Sequence, residues 1–257
     1  MFPAGLKAGP DKALFMHNLL VSFLLGLTAA AANVFGGVMI VRHYWRREAL
    51  KYFIALGSGF MLATALLEMV PEGIELTGSA GLTFVLGGYL LVHFFEHTMA
   101  AHLHFGEETH PEEFERPARG YAAALGMAIH AFFDGAAIAA GFIVSTKLGL
   151  LVFLAIFLHK IPDGFTIASV MLASGRGPRA ALAASVLMGA TTLLGLATMW
   201  VFQMHVAFGL LLSAGATLYV AASDLMPEVN REPGIGMAVW VFAGVALMLL
   251  FGHFLPH

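Results

Sequence analysis

The chain of 257 residues contains no cysteine. That absence excludes disulfides, zinc ribbons, iron–sulfur clusters and thiol catalysis, and it leaves the redox compartment open. Charge is scarce too: 13 basic and 16 acidic residues make up 11% of the chain, against about a quarter in a soluble domain. A net charge of −3 carries neither the polar excess of disorder nor the basic excess of a nucleic-acid binder, so no nucleic-acid partner is expected. Phosphate loops, dinucleotide fingerprints, serine triads and HExxH motifs are missing as well, and nothing points to ATP coupling. What the chain does have is 59% hydrophobic residues. The class left standing is an all-α integral membrane protein with the lipid bilayer as its solvent.

A membrane-crossing helix needs roughly 20 mainly apolar residues. Eight stretches qualify: 19–41, 52–70, 81–101, 120–143, 148–173, 180–202, 206–226 and 235–255. The first follows Lys7 and Lys12 in the manner of a secretory leader, but it stays apolar to Val41 and seven more spans follow, so it is read as retained. With the N-terminus outside, the inner loops hold nine basic residues, Arg42, Arg46, Arg47, Lys51, Arg116, Arg119, Arg176, Arg179 and Arg231, against Lys7, Lys12 and Lys147 outside. Cytoplasmic loops carry the excess of lysine and arginine. Both termini are therefore expected outside the cytoplasm, in the cell (inner) membrane, with loop 102–119 cytoplasmic.

Two patterns occur twice. His130-Ala-Phe-Phe-Asp134-Gly135 in the fourth span is answered, 29 residues on, by His159-Lys-Ile-Pro-Asp163-Gly164 in the fifth. Glu68-Met-Val-Pro71-Glu72 closes the second span, and Asp224-Leu-Met-Pro227-Glu228 closes the seventh. In the assigned topology each echo pairs helices running in opposite directions. That predicts a 3+2+3 inverted-repeat arrangement, the architecture of carriers with a site near the midplane.

Ionisable side chains at membrane depth are costly and mark substrate paths. His130 and Asp134 are four residues apart, as are His159 and Asp163, so each pair shares one helix face. If the faces meet, two imidazoles and two carboxylates converge, a donor set for a divalent transition metal. The bland alternative is a pair of hydrogen-bonded locks between helices. Two matched pairs in related spans favour the metal.

These motifs resemble the paired signatures of the ZIP (Zrt-, Irt-like) metal transporters, usually close to HNxPEG in the fourth helix and HEIPxE in the fifth. The resemblance covers the whole chain as a single transmembrane domain. It implies that His130, Asp134, His159 and Asp163 are the transport-site ligands and that the protein is a homodimer. It also implies that spans one, four, five and six move against two, three, seven and eight. Two positions depart from the family pattern: Ala131 stands where asparagine is common and Lys160 where an acid is common. Both positions help form a second metal site in binuclear members. Lys160 is therefore expected to substitute for the second ion, leaving one ion per protomer. Phe133 replaces a common proline, so a weaker kink is expected in the fourth span.

Secondary candidates remain. Glu68 and Asp224 lie near opposite mouths, as stations on a cation path or as ordinary helix-end groups. His93 and His97, four apart on the third span, are ligands for departing metal or interfacial anchors. His102, His104 and His110, among the glutamates of loop 102–119, are candidates for holding metal on the cytoplasmic side. Met61, Met69, Met171, Met188 and Met199 read as lipid-facing or core filler.

The leading reading is a secondary carrier, not an enzyme, that brings zinc or another divalent metal (iron, manganese, cadmium) into the cytoplasm as substrate, with no resident cofactor. The competing class is an intramembrane hydrolase in which His130 and His159 hold zinc and an aspartate activates water. Inverted repeats favour the carrier, because alternating access needs two related halves and hydrolysis does not.

Overall fold

The computed structural model describes residues 12–42, 47–99 and 117–255, and among these every element is helical. In order they are α1 (Lys12–Val41), α2 (Arg47–Thr64), a π turn (Ala65–Met69), α3 (Val70–Thr77), α4 (Leu82–Met99), α5 (Pro117–Val144), α6 (Thr146–Ala173), α7 (Pro178–Val201), α8 (Val206–Tyr219), a second π turn (Val220–Leu225), α9 (Met226–Arg231) and α10 (Ile235–Phe254). Among the described residues, seven helical stretches are long and apolar enough to cross a membrane, and a further apolar stretch, Ser79–Phe95, is shorter. That stretch corresponds to the expected third span. It begins on the 3₁₀ turn Ser79–Gly81, and beyond it come the polar residues Glu96 and His97.

In lipid, apolarity does not choose which face of a helix turns inward; close packing of small residues does. The buried face of α1 follows that rule: Ser22, Gly26, Ala29, Ala30, Asn33, Gly36 and Gly37. Four of its leucines, Leu14, Leu20, Leu24 and Leu27, are exposed.

Four helix pairs cross on glycine, and all four crossings have one geometry. In each, the bare Cα of a glycine presses on the backbone carbonyl three residues before the partner's glycine, and the partner returns the contact. Gly36 of α1 meets Ile161 while Gly164 of α6 meets Asn33; Gly135 of α5 meets Thr192 while Gly195 of α7 meets Phe132. Gly59 of α2 meets Val241 while Gly244 of α10 meets Leu56; Gly88 of α4 meets Leu212 while Gly215 of α8 meets Val85. The crossings join four pairs; packing of α1 on α7 and of α5 on α6 gathers the first two into one group, and packing of α2 on the second π turn and of α8 on the first gathers the other two into a second. Between the groups, α2 packs on α6 and α8 packs on α5. Contact there is ordinary: a methyl at Gly57 would lie 3.6 Å from Leu158 Cβ.

The two π turns stand in matching places, each followed by a proline in the first turn of the next helix. A proline ring clashes with the carbonyl four residues back, which here is that of Leu67 or Ser223. A π turn bonds five residues back and is wider, so the offending carbonyl moves clear of the ring.

Helices α5 and α6 form a tight hairpin around the single residue Ser145, whose Oγ accepts from the Leu148 N–H at 3.1 Å. From α1, Asn18 clamps the apex: Nδ2 donates to the Phe142 carbonyl at 3.1 Å, and Oδ1 accepts from the Thr146 hydroxyl at 3.0 Å.

Candidate metal site

The hairpin carries all four midspan histidines and aspartates. Helical spacing sets His130 over Asp134 on α5 and His159 over Asp163 on α6. The glycine after each aspartate then seats its helix against a neighbour, α7 for Gly135 and α1 for Gly164. Bulk on those faces would push the carboxylates apart. All four residues are buried, and their ligand atoms lie within 4.8 Å of one another.

Asp134 Oδ2 lies 3.1 Å from His130 Nε2 and 3.4 Å from His159 Nε2. Asp163 Oδ2 lies 3.8 and 3.7 Å from the same two nitrogens. Zinc bonds imidazole nitrogen and carboxylate oxygen at about 2.0–2.2 Å in tetrahedral geometry, which puts neighbouring donors roughly 3.4 Å apart. The observed separations bracket that value. His159 Nδ1 is 3.0 Å from the Ala155 carbonyl. A carbonyl only accepts, so Nδ1 carries the proton, and a neutral ring so held would offer the lone pair of Nε2 to the centre, the outer-shell arrangement typical of metal-ligating histidine. Both ring nitrogens of His130, and Asp163 Oδ1, are buried without hydrogen-bond partners. Buried polar atoms are nearly always satisfied, so unpaired atoms on two of the four residues fit a site that takes a ligand.

One cation is already there. Lys160 is fully buried, and its Nζ donates to Asp134 Oδ2 and, at 3.3 Å, to Asp163 Oδ2. It does not reach for an interface. Ala131, the other departure from the family pattern, is buried and packs in a core cluster with Ile167 and Met188. It brings no donor atom.

The secondary candidates lie elsewhere. Glu68 sits half-buried in the first π turn and Asp224 half-buried in the second. His93 is exposed, its ring 5.8 Å from that of Tyr219. The side chain of His97, and all of His102, His104 and His110, fall outside the described residues. Met61, Met69, Met171, Met188 and Met199 are all buried, which makes them core filler and not lipid-facing. One residue went unnoticed in the sequence reading. Asn33 is buried at the α1–α6 crossing with neither side-chain atom hydrogen-bonded, and its only signal was an amide in the middle of an apolar span.

The family model described as "ZIP Zinc transporter" matches residues 106–252, more than half of the chain. The chain is 26% identical to the protein named Zinc transporter ZIP9-A of Xenopus laevis, over 91% of this chain and 94% of that protein. It is 28% identical to Zinc transporter ZIP13 of Pongo abelii, over 97% of this chain and 82% of that one. With Zinc transporter ZIP4 of Homo sapiens the identity is 34%, but over 43% of this chain and 18% of that one.

Proposed function

The chain belongs to the ZIP zinc transporter family, and we propose from that premise that it carries zinc into the cytoplasm through the four-residue site on α5 and α6. It is an integral membrane protein of a transporter family, not an enzyme, which removes the hydrolase reading. The observation that carries the proposal is the buried convergence of His130, Asp134, His159 and Asp163 within 4.8 Å.

The inverted repeat belongs to the same proposal and has structural support. Under the pairing of spans one to three with six to eight, the α1–α6 crossing corresponds to α7–α5, and α2–α10 to α8–α4. The contact of α2 on α6 likewise corresponds to that of α8 on α5. Two groups built from glycine-locked pairs and meeting through ordinary side-chain contact are suited to sliding past each other. Alternating access is that motion, with Glu68 and Asp224 as stations at opposite mouths, in a homodimer seated in the cell membrane.

The nine-to-three distribution of basic residues supports the assigned topology, with loop 102–119 in the cytoplasm. Purified protein in sealed liposomes is expected to move zinc down its gradient, and to retain little of it on washing, since a carrier must release what it binds. In intact cells, protease added outside should leave the Glu107–Arg116 segment uncut. Zinc flux no greater than in protein-free vesicles defeats the carrier reading. Cleavage from outside reverses the topology and exchanges the roles of Glu68 and Asp224.

Stoichiometry tests the role of Lys160. Native protein is expected to bind one zinc at this site. Lys160→Asp, which places a carboxylate where the second ion's ligand stands in binuclear relatives, is expected to approach two, by equilibrium dialysis. Two ions bound tightly at the native site would show that the lysine does not fill the second place.

A further inference from the structure

Lys160 holds the atoms that the cargo needs. The carboxylate oxygens that accept from its ammonium, Asp134 Oδ2 and Asp163 Oδ2, are the same two that face the Nε2 atoms of both histidines. The lysine sits three residues before Asp163 on one helix and is fully buried. It can swing on its flexible four-carbon stem, but it cannot leave the hairpin. Taking the tetrad as the cargo site, the reading on which this inference rests, we propose that Lys160 is a captive counter-charge that balances the two strokes of the transport cycle.

The argument is electrical. Metal ligation requires neutral imidazoles; with both rings neutral in each stroke, two carboxylates and one ammonium give the empty site a net charge of −1. A divalent cation brings it to +1. Without the ammonium the empty site would carry −2 and the loaded site none. The energy of a charge in low-dielectric surroundings grows with the square of that charge. The native site therefore meets equal barriers loaded and empty. A site without the lysine would cross freely when loaded and face about four times the native electrostatic cost on its empty return.

Lys160 also screens the cargo. An incoming ion must take both oxygens from a tethered cation. A monovalent ion only matches the charge it displaces, whereas a divalent ion exceeds it.

Lys160→Met in sealed liposomes separates the two strokes. Net zinc uptake into metal-free vesicles needs the empty return; exchange of labelled zinc against zinc-filled vesicles needs only the loaded stroke. Net uptake is expected to fall at least tenfold while exchange stays at or above the native rate. The zinc concentration for half-maximal exchange should fall, because the cargo no longer competes with an ammonium. Exchange should also lose its dependence on membrane potential, since the loaded site is now neutral. Lys160→Gln, equally neutral but polar, should behave like Lys160→Met. An equal loss of net uptake and exchange in folded Lys160→Met overturns the proposal, as does native net uptake in Lys160→Gln. The underlying site assignment fails separately, if His130→Ala exchanges zinc at the native rate.

Discussion

His130→Ala is expected to reduce zinc uptake to the background of protein-free membranes while leaving the folded yield near native. The histidine is the cleanest of the four to remove, because neither of its ring nitrogens is hydrogen-bonded and its loss strands no partner. Its Nε2 is nonetheless 3.1 and 3.8 Å from the two aspartates, on the edge of the space where the ion would sit. Losing even an outer-shell partner of a metal costs about 10–100-fold in affinity, and a direct ligand costs more. Asp134→Ala, His159→Ala and Asp163→Ala should be equally inactive. Asp134→Ala and Asp163→Ala should be the least stable of the set, because each removes one of the two carboxylates that Lys160 holds, and breaking a buried ion pair from one side costs about 3–5 kcal/mol. Uptake by whole cells, normalised to protein in the membrane, is the measurement. Normal transport by any two of the four variants would leave the pairs as structural locks and put the site elsewhere.

The second large effect concerns the fold. Gly164→Ala is expected to destabilise the protein by about 3 kcal/mol, the upper end of ordinary overpacking, and Gly135→Ala by a similar amount. In both, the added methyl meets a backbone carbonyl, of Asn33 or Thr192, and a carbonyl held in a helix cannot rotate away as a side chain can. Gly57→Ala serves as the contrast. Its methyl would find Leu158 Cβ at 3.6 Å, a normal contact, so stability should stay within about 0.5 kcal/mol of native. Thermal unfolding in detergent, followed by the fraction remaining monodisperse, ranks the three. Equal stability of Gly164→Ala and Gly57→Ala would mean that the crossings have slack and do not set the helix spacing.

Much of this was legible in the chain. Scarce charge and long apolar runs gave the membrane class, and two copies of one short pattern singled out His130, Asp134, His159 and Asp163. That the pairs converge was not in the sequence, because a stripe of side chains does not say which neighbour it faces. The glycines of α2, α4, α8 and α10 are the instructive miss. Gly59 and Gly215, Gly88 and Gly244, Glu68 and Asp224, and Pro71 and Pro227 are all separated by 156 residues. A glycine in an apolar span reads as filler until its partner is known, so only the acid–proline echo stood out. The π turns were invisible for another reason: a helix that takes one wide turn keeps the same apolar composition.

The hairpin of α5 and α6 has a consequence for how the protein is born. Synthesis delivers the chain from its N-terminus, so every proposed ligand, and Lys160 with them, exists before α7 to α10 have been made. Helix α1 is already in place to clamp the apex through Asn18 and to receive Gly164, whereas Gly135 must wait for Thr192. A nascent chain that has just passed Ala173 thus holds the full donor set with a counter-charge beside it. The proposed donors are all present while the transporter is still half made, and α7 then seats the helix that carries Asp134.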